Sequence, residues 1–188
     1  VLVNPMYTAR ELKHQLKDSG ATVLIVLDNF GAVAAESIEG TSVKHVITTR
    51  VGDMLPFPKS KIVDFTLKYV KKMIPAFDIP NAIRWPKAMA EGARLPRVQS
   101  MAKASDTAQL QYTGGTTGVA KGAMLTHRNL VANMQQASAW IGTNVKPGKE
   151  IIITALPLYH IFALTSNCLV FMKFGGLNYL ITNPRDMP

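Results

Sequence analysis

Short apolar runs rich in β-branched residues alternate with segments of helical periodicity along this 188-residue chain. This alternation predicts an α/β fold with a mostly parallel sheet flanked by helices, because parallel strands are joined by helical crossovers. The run ATVLIVLD is continuously apolar, which is typical of a strand buried on both faces. Predicted strands cover 21–28, 43–49, 108–112, 150–156 and 177–181, and predicted helices cover 59–74, 126–141 and 161–174.

Two helices have recognisable start signals. Thr8 is followed three residues later by Glu11, which is the pattern of a capping box, and Gly20 suits the end of the same helix. Thr126, with Asn129 three residues on, predicts a similar cap for the helix at 126–141.

The charge and the cysteine content limit the possible classes of protein. The formal net charge of +9 suits a phosphate ligand, an acidic lipid surface or nucleic acid, although truncation could create the same bias. We expect truncation, because the chain begins at Val1 and ends inside a predicted loop. The single cysteine, Cys168, excludes intramolecular disulfides and multi-cysteine metal sites. No signal peptide or membrane span is evident, which favours the cytoplasm.

Residues 52–97 depart from the alternating pattern and are rich in proline and lysine. The predicted helix within them places its apolar side chains on one face and its lysines mostly on the other. Such a helix can lie on an anionic membrane, here the inner face of the cytoplasmic membrane, or it can pack on its own domain with solvated lysines. Both interpretations stay open at this point. The apolar face comprises Ile62, Phe65, Tyr69, Val70 and Met73.

The segment YTGGTTGVAKG at 112–122 has the composition of a phosphate-binding loop. Its lysine follows Ala120, so the spacing is not that of a Walker A loop, and the Rossmann glycine pattern is also absent. Glycines let backbone N–H groups approach an anion, threonines add hydroxyl groups, and Lys121 adds a positive charge that Gly122 leaves accessible. A flexible hairpin turn is the alternative. The predicted phosphate contacts are Thr113, Gly114, Gly115, Thr116, Thr117, Gly118 and Lys121.

This segment resembles the phosphate loop of the acyl-activating adenylate-forming enzymes, which include acyl-CoA synthetases and luciferases. Two residues depart from the usual motif, since Gly114 replaces a hydroxyl residue and Ala120 replaces a proline. Together with TALPLYHIFALTSNCL and LITNPRDMP, the segment looks like the bacterial long-chain fatty acid–CoA ligases. The resemblance covers essentially the whole chain and implies that residues 1–188 are part of the large AMP-binding domain of that fold, with 52–97 as an excursion within it.

The resemblance implies a two-step reaction with ATP, Mg²⁺, a fatty acid and coenzyme A as cofactors and substrates. The fatty acid carboxylate first forms an acyl-AMP, and the thiol of coenzyme A then displaces AMP. Lys121 would hold the β- and γ-phosphates and act in catalysis, and Thr113 would lie near Mg²⁺. By the same resemblance, His160 would lie beside the acyl-adenylate carboxyl group as the second catalytic residue, while Phe162 and Ser166 would line the acyl pocket.

Alternatives to this function stay open on the sequence alone. A histidine at a strand end, such as His160, is often structural. The acid could be an aryl or shorter-chain carboxylate, although LPLYHIFALT argues against it. A non-catalytic basic module binding membrane or nucleic acid is the other alternative, but nucleic acid is not expected as a partner, because the loop does not interleave aromatic and basic residues. We also expect the 188-residue chain alone to be inactive.

Overall fold

A computed structural model describes residues 1–113 and 120–181. These residues form two compact units, an amino-terminal unit of Val3–Ser100 and a carboxyl-terminal unit of Val1–Leu2 with Met101–Pro188. In the part of the chain that the structure describes, three of the four strand pairings are parallel, so the mostly parallel α/β class is confirmed. The strands lie in three small sheets within the described residues, rather than in the single sheet that the sequence suggested.

The amino-terminal unit contains α1 (Ala9–Ser19), β1 (Val23–Leu27), α2 (Gly31–Ile38), β2 (His45–Thr49), α3 (Lys59–Phe65), β3 (Ile83–Arg84) and α4 (Trp85–Gly92). The parallel sheet has the order β1–β2–β3. The hydrophobic core of this unit packs leucines of α1 against one face of the strands. Its buried members are Leu12, Leu16, Leu24, Ala34, Val46 and Ile79.

The predicted capping of α1 is confirmed in detail. The Thr8 hydroxyl accepts a hydrogen bond from the Glu11 N–H, and the Glu11 carboxylate accepts one from the Thr8 N–H at 2.8 Å. The Glu11 carboxylate accepts hydrogen bonds from the Thr8 N–H and from the Thr8 hydroxyl, and these two bonds lower the pKa of Glu11. Gly20 ends the helix with φ +62°, a left-handed conformation that glycine adopts without strain.

Strand β1 is not buried on both faces as its composition predicted. Leu24 points into the core, whereas Val23 and Ile25 are 49% and 55% exposed. Successive side chains of a strand point to opposite faces, and among the described residues the packed core covers only the face of Leu24. The continuous apolar run is therefore a strand with one covered face in this unit.

An ionic cluster ties the carboxyl ends of the three parallel strands together. The Asp28 carboxylate, at the end of β1, accepts hydrogen bonds from Arg50 Nε at 2.9 Å and from Arg84 Nη1 at 2.6 Å. Asp28 is 3% exposed, so burial strengthens its interaction with both guanidinium groups. The hydrogen bond to Asp28 raises the pKa of Arg50. Asp53 contacts Arg84 at 3.5 Å and completes the cluster.

The helix predicted at 59–74 is shorter than expected. It consists of α3 followed by a π-helical turn at Thr66–Val70, and it ends before Lys72, whose φ is +49°. Its apolar face is only partly covered by its own unit within the described residues, because all five predicted apolar residues are more than half exposed. Their exposed fractions are 60% for Ile62, 59% for Phe65, 58% for Tyr69, 67% for Val70 and 51% for Met73.

The carboxyl-terminal unit contains β4 (Thr107–Thr113), β5 (Lys121–Thr126), α5 (His127–Ile141), β6 (Ile151–Thr154), a π-helical segment (Ala163–Val170) that continues as α6 (Phe171–Lys173), and β7 (Leu177–Leu180). The α5 cap is confirmed, since Thr126 Oγ1 accepts from the Asn129 N–H at 3.1 Å. Strands β6 and β7 are parallel, and the helix between them is the expected crossover. No helix in the described part of the chain has both the length and the apolar character needed to span a bilayer.

A polar network fixes this crossover helix to its two strands. Thr154 Oγ1 donates to Asn178 Oδ1 at 2.6 Å and accepts from Asn167 Nδ2 at 3.0 Å. Asn178 Nδ2 then donates to the Asn167 backbone carbonyl at 2.8 Å. Thr154 and Asn167 are buried, at 2% and 8% exposed, so these hydrogen bonds satisfy groups that have little access to water.

Candidate functional site

Strands β4 and β5 form an antiparallel hairpin that presents Thr113 and Lys121 together. The register pairs Thr113 with Lys121 and Tyr112 with Gly122. Directly opposed side chains point to the same face of an antiparallel pair, with Cβ atoms about 4.5–5.5 Å apart. Both residues are exposed. A hydroxyl group and an ammonium group therefore lie side by side where the predicted phosphate loop leaves and re-enters the hairpin.

Residues 114–119, between these two strand ends, lie outside the described part of the chain. The predictions for Gly114, Gly115, Thr116, Thr117 and Gly118 fall on them and stay predictions. The flanking strands do pair as a hairpin, as the alternative interpretation supposed. Strand pairing does not distinguish a simple turn from an anion-binding loop, because either kind of segment can join two paired strands.

Gly122 has a different role from the one that its position beside Lys121 suggested. A Cβ atom built on Gly122 would lie 2.9 Å from Tyr112 Cζ and 3.0 Å from Tyr112 Cε2. The ring of Tyr112, which lies on the opposite strand, therefore fills the space above Gly122. Tyr112 is 8% exposed, so the ring belongs to the buried side of the hairpin and Lys121 to the exposed side.

His160 lies in the turn that follows β6 and begins the helix after it. Its N–H donates to the Pro157 carbonyl at 2.9 Å, and its carbonyl accepts from the Leu164 N–H at 3.0 Å. Its Nδ1 accepts from the Phe162 N–H at 3.3 Å. An Nδ1 atom that accepts a hydrogen bond leaves the ring proton of neutral histidine on Nε2. The exposed ring of His160 thus presents Nε2–H as a hydrogen-bond donor.

A glutamine that sequence reasoning missed connects the hairpin to this turn. Gln111 Nε2 donates to the Tyr159 carbonyl at 3.2 Å, and Gln111 Oε1 accepts from Gln109 Nε2 at 2.7 Å. The available signal was the alternation in QLQYT, which places Gln109, Gln111 and Thr113 on one face of β4. The structure thereby links the strand of Thr113 to the residue before His160.

The two predicted acyl-pocket residues lie on the helix that begins after His160. Phe162 is 57% exposed, whereas Ser166 is half-buried in the π-helical segment. They are four residues apart, which is close to one turn of a helix, so they lie near the same side. Cys168, in the same segment, is half-buried.

The described residues contain no cluster of metal-binding side chains. No group of three or more histidine, cysteine, aspartate or glutamate side chains lies close enough to hold a metal ion within 1–113 and 120–181. Mg²⁺ in nucleotide sites commonly keeps several waters and binds substrate phosphates with only one or two protein ligands. The exposed hydroxyl of Thr113 offers one oxygen ligand of the kind that a Ser or Thr supplies to phosphate-bound Mg²⁺ in other nucleotide sites.

Comparisons with known proteins place these features in a family. The family model for AMP-binding enzyme matches residues 1–188. A long-chain-fatty-acid–CoA ligase from Salmonella typhimurium is 55% identical over 188 residues, which are 100% of this chain and 34% of that protein. The chain thus spans about a third of the length of that curated relative, in agreement with the expected truncation.

Two solved structures show the same fold over nearly the whole chain. A long-chain-fatty-acid-CoA ligase from Archaeoglobus fulgidus matches with a TM-score of 0.60 and 28% identity, over 95% of this chain and 29% of that one. A red-emitting luciferase from Phrixothrix hirtus matches with a TM-score of 0.68 and 18% identity, over 98% of this chain and 32% of that one. The second likeness, at low identity, concerns the fold alone.

Proposed function

This chain belongs to the AMP-binding enzyme family, and we propose that the full-length protein containing it is a long-chain fatty acid–CoA ligase that forms AMP. One observation carries the substrate class, namely the high identity with a bacterial enzyme of that name along the entire chain. The pairing of Thr113 with Lys121 on one face of the hairpin supports the nucleotide chemistry.

The first step of the proposed reaction joins the fatty acid to AMP. A carboxylate oxygen attacks the α-phosphorus of ATP, the new O–P bond forms, and the bond to pyrophosphate breaks. Negative charge builds on the departing pyrophosphate, so fixed cationic and hydrogen-bonding groups accelerate the step. Lys121 supplies the positive charge in this proposal, and Thr113 and the loop residues 114–118 supply hydroxyl and backbone groups.

Mg²⁺ would neutralise phosphate charge when bound, with the Thr113 hydroxyl as its ligand from the described residues. Because Thr113 lies opposite Lys121, the hydroxyl of Thr113 and the ammonium group of Lys121 would lie near neighbouring phosphate oxygens. The family resemblance, rather than a metal-binding cluster, is the basis for this assignment.

His160 is proposed to bind the carboxyl group that reacts. Its Nδ1 accepts from the Phe162 N–H, so Nε2–H is directed outward as a donor. Donation to a carboxylate oxygen of the fatty acid, and then to the acyl-adenylate carbonyl, would orient the acyl group for both steps. In the second step, the thiol of coenzyme A loses its proton to solvent and its sulfur attacks that carbonyl carbon; the C–S bond forms, the C–O bond to the phosphate breaks, and AMP leaves.

The acyl pocket is proposed to begin on the helix after His160. Phe162 exposes most of its ring there, and Ser166 follows about one turn later. An exposed aromatic ring beside the reacting carboxyl group suits an alkyl chain, because burying it against hydrocarbon removes apolar surface from water.

Thioester formation with a panel of carboxylic acids tests this function. We expect the full-length protein to form coenzyme A thioesters fastest with long-chain fatty acids and to consume ATP to AMP. Faster reaction with an aryl or short-chain acid would contradict the substrate class while keeping the family chemistry. The 188-residue chain alone is expected to form no thioester, since it spans only about a third of the relative's length.

We further propose that the basic helix of residues 59–70 contacts an anionic lipid bilayer, peripherally and on the cytoplasmic side. Its aromatic side chains are exposed; the ring centroids of Phe65 and Tyr69 lie 5.1 Å apart with the rings tilted by 41°, and Lys68 Nζ lies 5.3 Å from the centroid of the Tyr69 ring. Exposed apolar side chains bordered by lysines match the apolar and charged layers of an anionic membrane surface. Nearby lysines are Lys59, Lys61, Lys68, Lys71 and Lys72.

Vesicle binding tests the lipid contact. Each lysine near an anionic surface contributes about 1 kcal/mol, so reversing Lys68, Lys71 and Lys72 to glutamate should lower binding at low salt at least roughly 100-fold. A matched control reverses three exposed lysines elsewhere, Lys17, Lys44 and Lys103. Equal binding by the two triple variants would contradict the proposal and would indicate that another part of the full-length protein covers this helix.

A further inference from the structure

The side chain of Gln111 connects the face of the hairpin that carries Thr113 and Lys121 to the turn that carries His160. Gln111 and Tyr159 are 48 positions apart in sequence, yet Gln111 Nε2 donates to the Tyr159 carbonyl at 3.2 Å. Tyr159 directly precedes His160, and Gln111 precedes Thr113 by two residues on the same strand face.

The amide orientation of Gln111 is determined by its neighbours. Its Nε2 group faces two carbonyl oxygens, those of Tyr159 at 3.2 Å and Tyr112 at 3.3 Å. Its Oε1 accepts from Gln109 Nε2 at 2.7 Å. Two acceptors on one side and a donor on the other fit only one orientation of the amide. Half-burial of Gln111 limits competition from water for these hydrogen bonds.

The opposite strand leaves space for this connection. The cross-strand partner of Gln111 is Ala123, whose methyl group is the smallest side chain with a Cβ atom. Two residues along a strand span about 7 Å, so the hydrogen bond holds the His160 turn at a short, fixed distance from Thr113 and Lys121.

We propose that Gln111 is a positioning residue that sets the distance between the phosphate-contacting face of the hairpin and the carboxyl-binding His160. The inference rests on the proposed function, because that distance matters only where an acid carboxylate must meet the α-phosphate of ATP. Gln111 touches neither substrate in this account and acts through the backbone of Tyr159. A shift of the turn moves His160 together with the acyl group that it binds, so it changes the distance to the phosphates but not the contact of His160 with the acyl-adenylate carbonyl. The effect of Gln111 therefore falls mainly on adenylate formation, since the second step, from acyl-AMP, no longer needs the leaving pyrophosphate at a fixed distance.

The two half-reactions of the full-length enzyme separate this role from a purely structural one. In Gln111→Glu, a carboxylate oxygen takes the place of Nε2 and faces the carbonyl oxygens of Tyr112 and Tyr159. The repulsion between these oxygens pushes the His160 turn away from the hairpin. A displacement of about 1 Å costs roughly 100-fold in rate. We expect fatty acid-dependent ATP–pyrophosphate exchange to fall between about 10- and 100-fold in kcat, with the KM for ATP changed less than about threefold. Thioester formation from supplied acyl-AMP and coenzyme A should change less than about threefold.

Two further variants keep the test decisive. Gln111→Met removes the donor without adding charge and should show the same split at smaller magnitude, even if the glutamate variant folds poorly. Gln136→Glu makes the matched change at an exposed position of α5 and should leave both half-reactions unchanged.

Equal losses in both half-reactions, or none in either, would overturn the positioning role. Absence of long-chain acid-dependent exchange in the wild-type enzyme would instead overturn the proposed function, and this inference with it. If the wild-type enzyme shows this exchange and the Gln111→Glu variant exchanges at the same rate, the positioning role of Gln111 is overturned and the proposed function stands.

Discussion

Replacing Gly122 by alanine should weaken the hairpin that carries Lys121. The added methyl group would lie 2.9 Å from Tyr112 Cζ and 3.0 Å from Cε2, about half an ångström closer than ordinary carbon contacts. The ring cannot simply swing away, because Tyr112 is only 8% exposed. Relief therefore requires the strands to shift, and Lys121 is the neighbouring residue on β5.

The expected size of the effect follows from two opposing contributions. Overpacking by one methyl group costs about 1–3 kcal/mol. Replacing a strand glycine by alanine returns about 0.5–1 kcal/mol through lower chain entropy in the unfolded state. The net destabilisation of the hairpin therefore lies between about zero and 2.5 kcal/mol, with a central value of about 1 kcal/mol, a roughly fivefold change in its opening equilibrium.

Amide hydrogen exchange of β4 and β5 in the full-length protein measures this opening locally. Protection in Gly122→Ala should fall by that factor. Gly92→Ala is the matched control, because no atom lies within 4 Å of a Cβ built there, and the hairpin should keep its protection. In a Tyr112→Ala background, adding Gly122→Ala should cost nothing more. The reasoning would be refuted if Gly122→Ala kept the wild-type protection. It would also be refuted if Gly122→Ala lowered protection equally in the wild-type and Tyr112→Ala proteins.

Other predictions concern the two units separately. Asp28→Ala leaves Arg50 and Arg84 without their shared carboxylate and should lower the stability of the amino-terminal unit by about 1–3 kcal/mol, measured by exchange of the strand amides. Thr154→Val leaves two amide side chains without their hydroxyl partner and should destabilise the carboxyl-terminal unit by about 1–3 kcal/mol in the same assay, whereas unchanged protection would contradict the network. The pKa of Glu11 is lowered in the folded chain from its ordinary value of 4.5. The contribution of Glu11 to folding stability is therefore complete above pH 4.5 and is lost as the pH falls through the lower pKa of the folded state. Glu11→Gln should remove this pH dependence from thermal unfolding.

Local signals in the sequence predicted the helices with clear caps and the longer strands. Thr8 with Glu11, and Thr126 with Asn129, form the capping interactions that their spacing indicated. These features depend on residues within one turn of each other, so a single sequence contains them. Strand β5 (Lys121–Thr126) was missed entirely, because it directly follows a loop rich in glycine and threonine and the sequence does not separate it from that loop.

The interactions that connect distant residues could not be predicted in this way. Gln111 meets Tyr159, and Asp28 meets Arg84, only after the strands have paired. The exposure of Ile25 was also hidden, because an apolar run does not reveal which faces of a strand are covered. For the site, the motif indicated Thr113, Lys121 and His160, whereas the side chain that ties the first strand to the His160 turn required the fold.

The most direct test of the adenylation site is ATP–pyrophosphate exchange with a long-chain fatty acid in the full-length protein. Removing a group that stabilises transition-state charge typically costs about 100- to 1,000-fold in rate, so Lys121→Ala should slow exchange by that amount while fatty acid binding is retained. Lys103→Ala, at an exposed lysine of the same unit, should exchange at the wild-type rate. Wild-type exchange in Lys121→Ala would contradict the account.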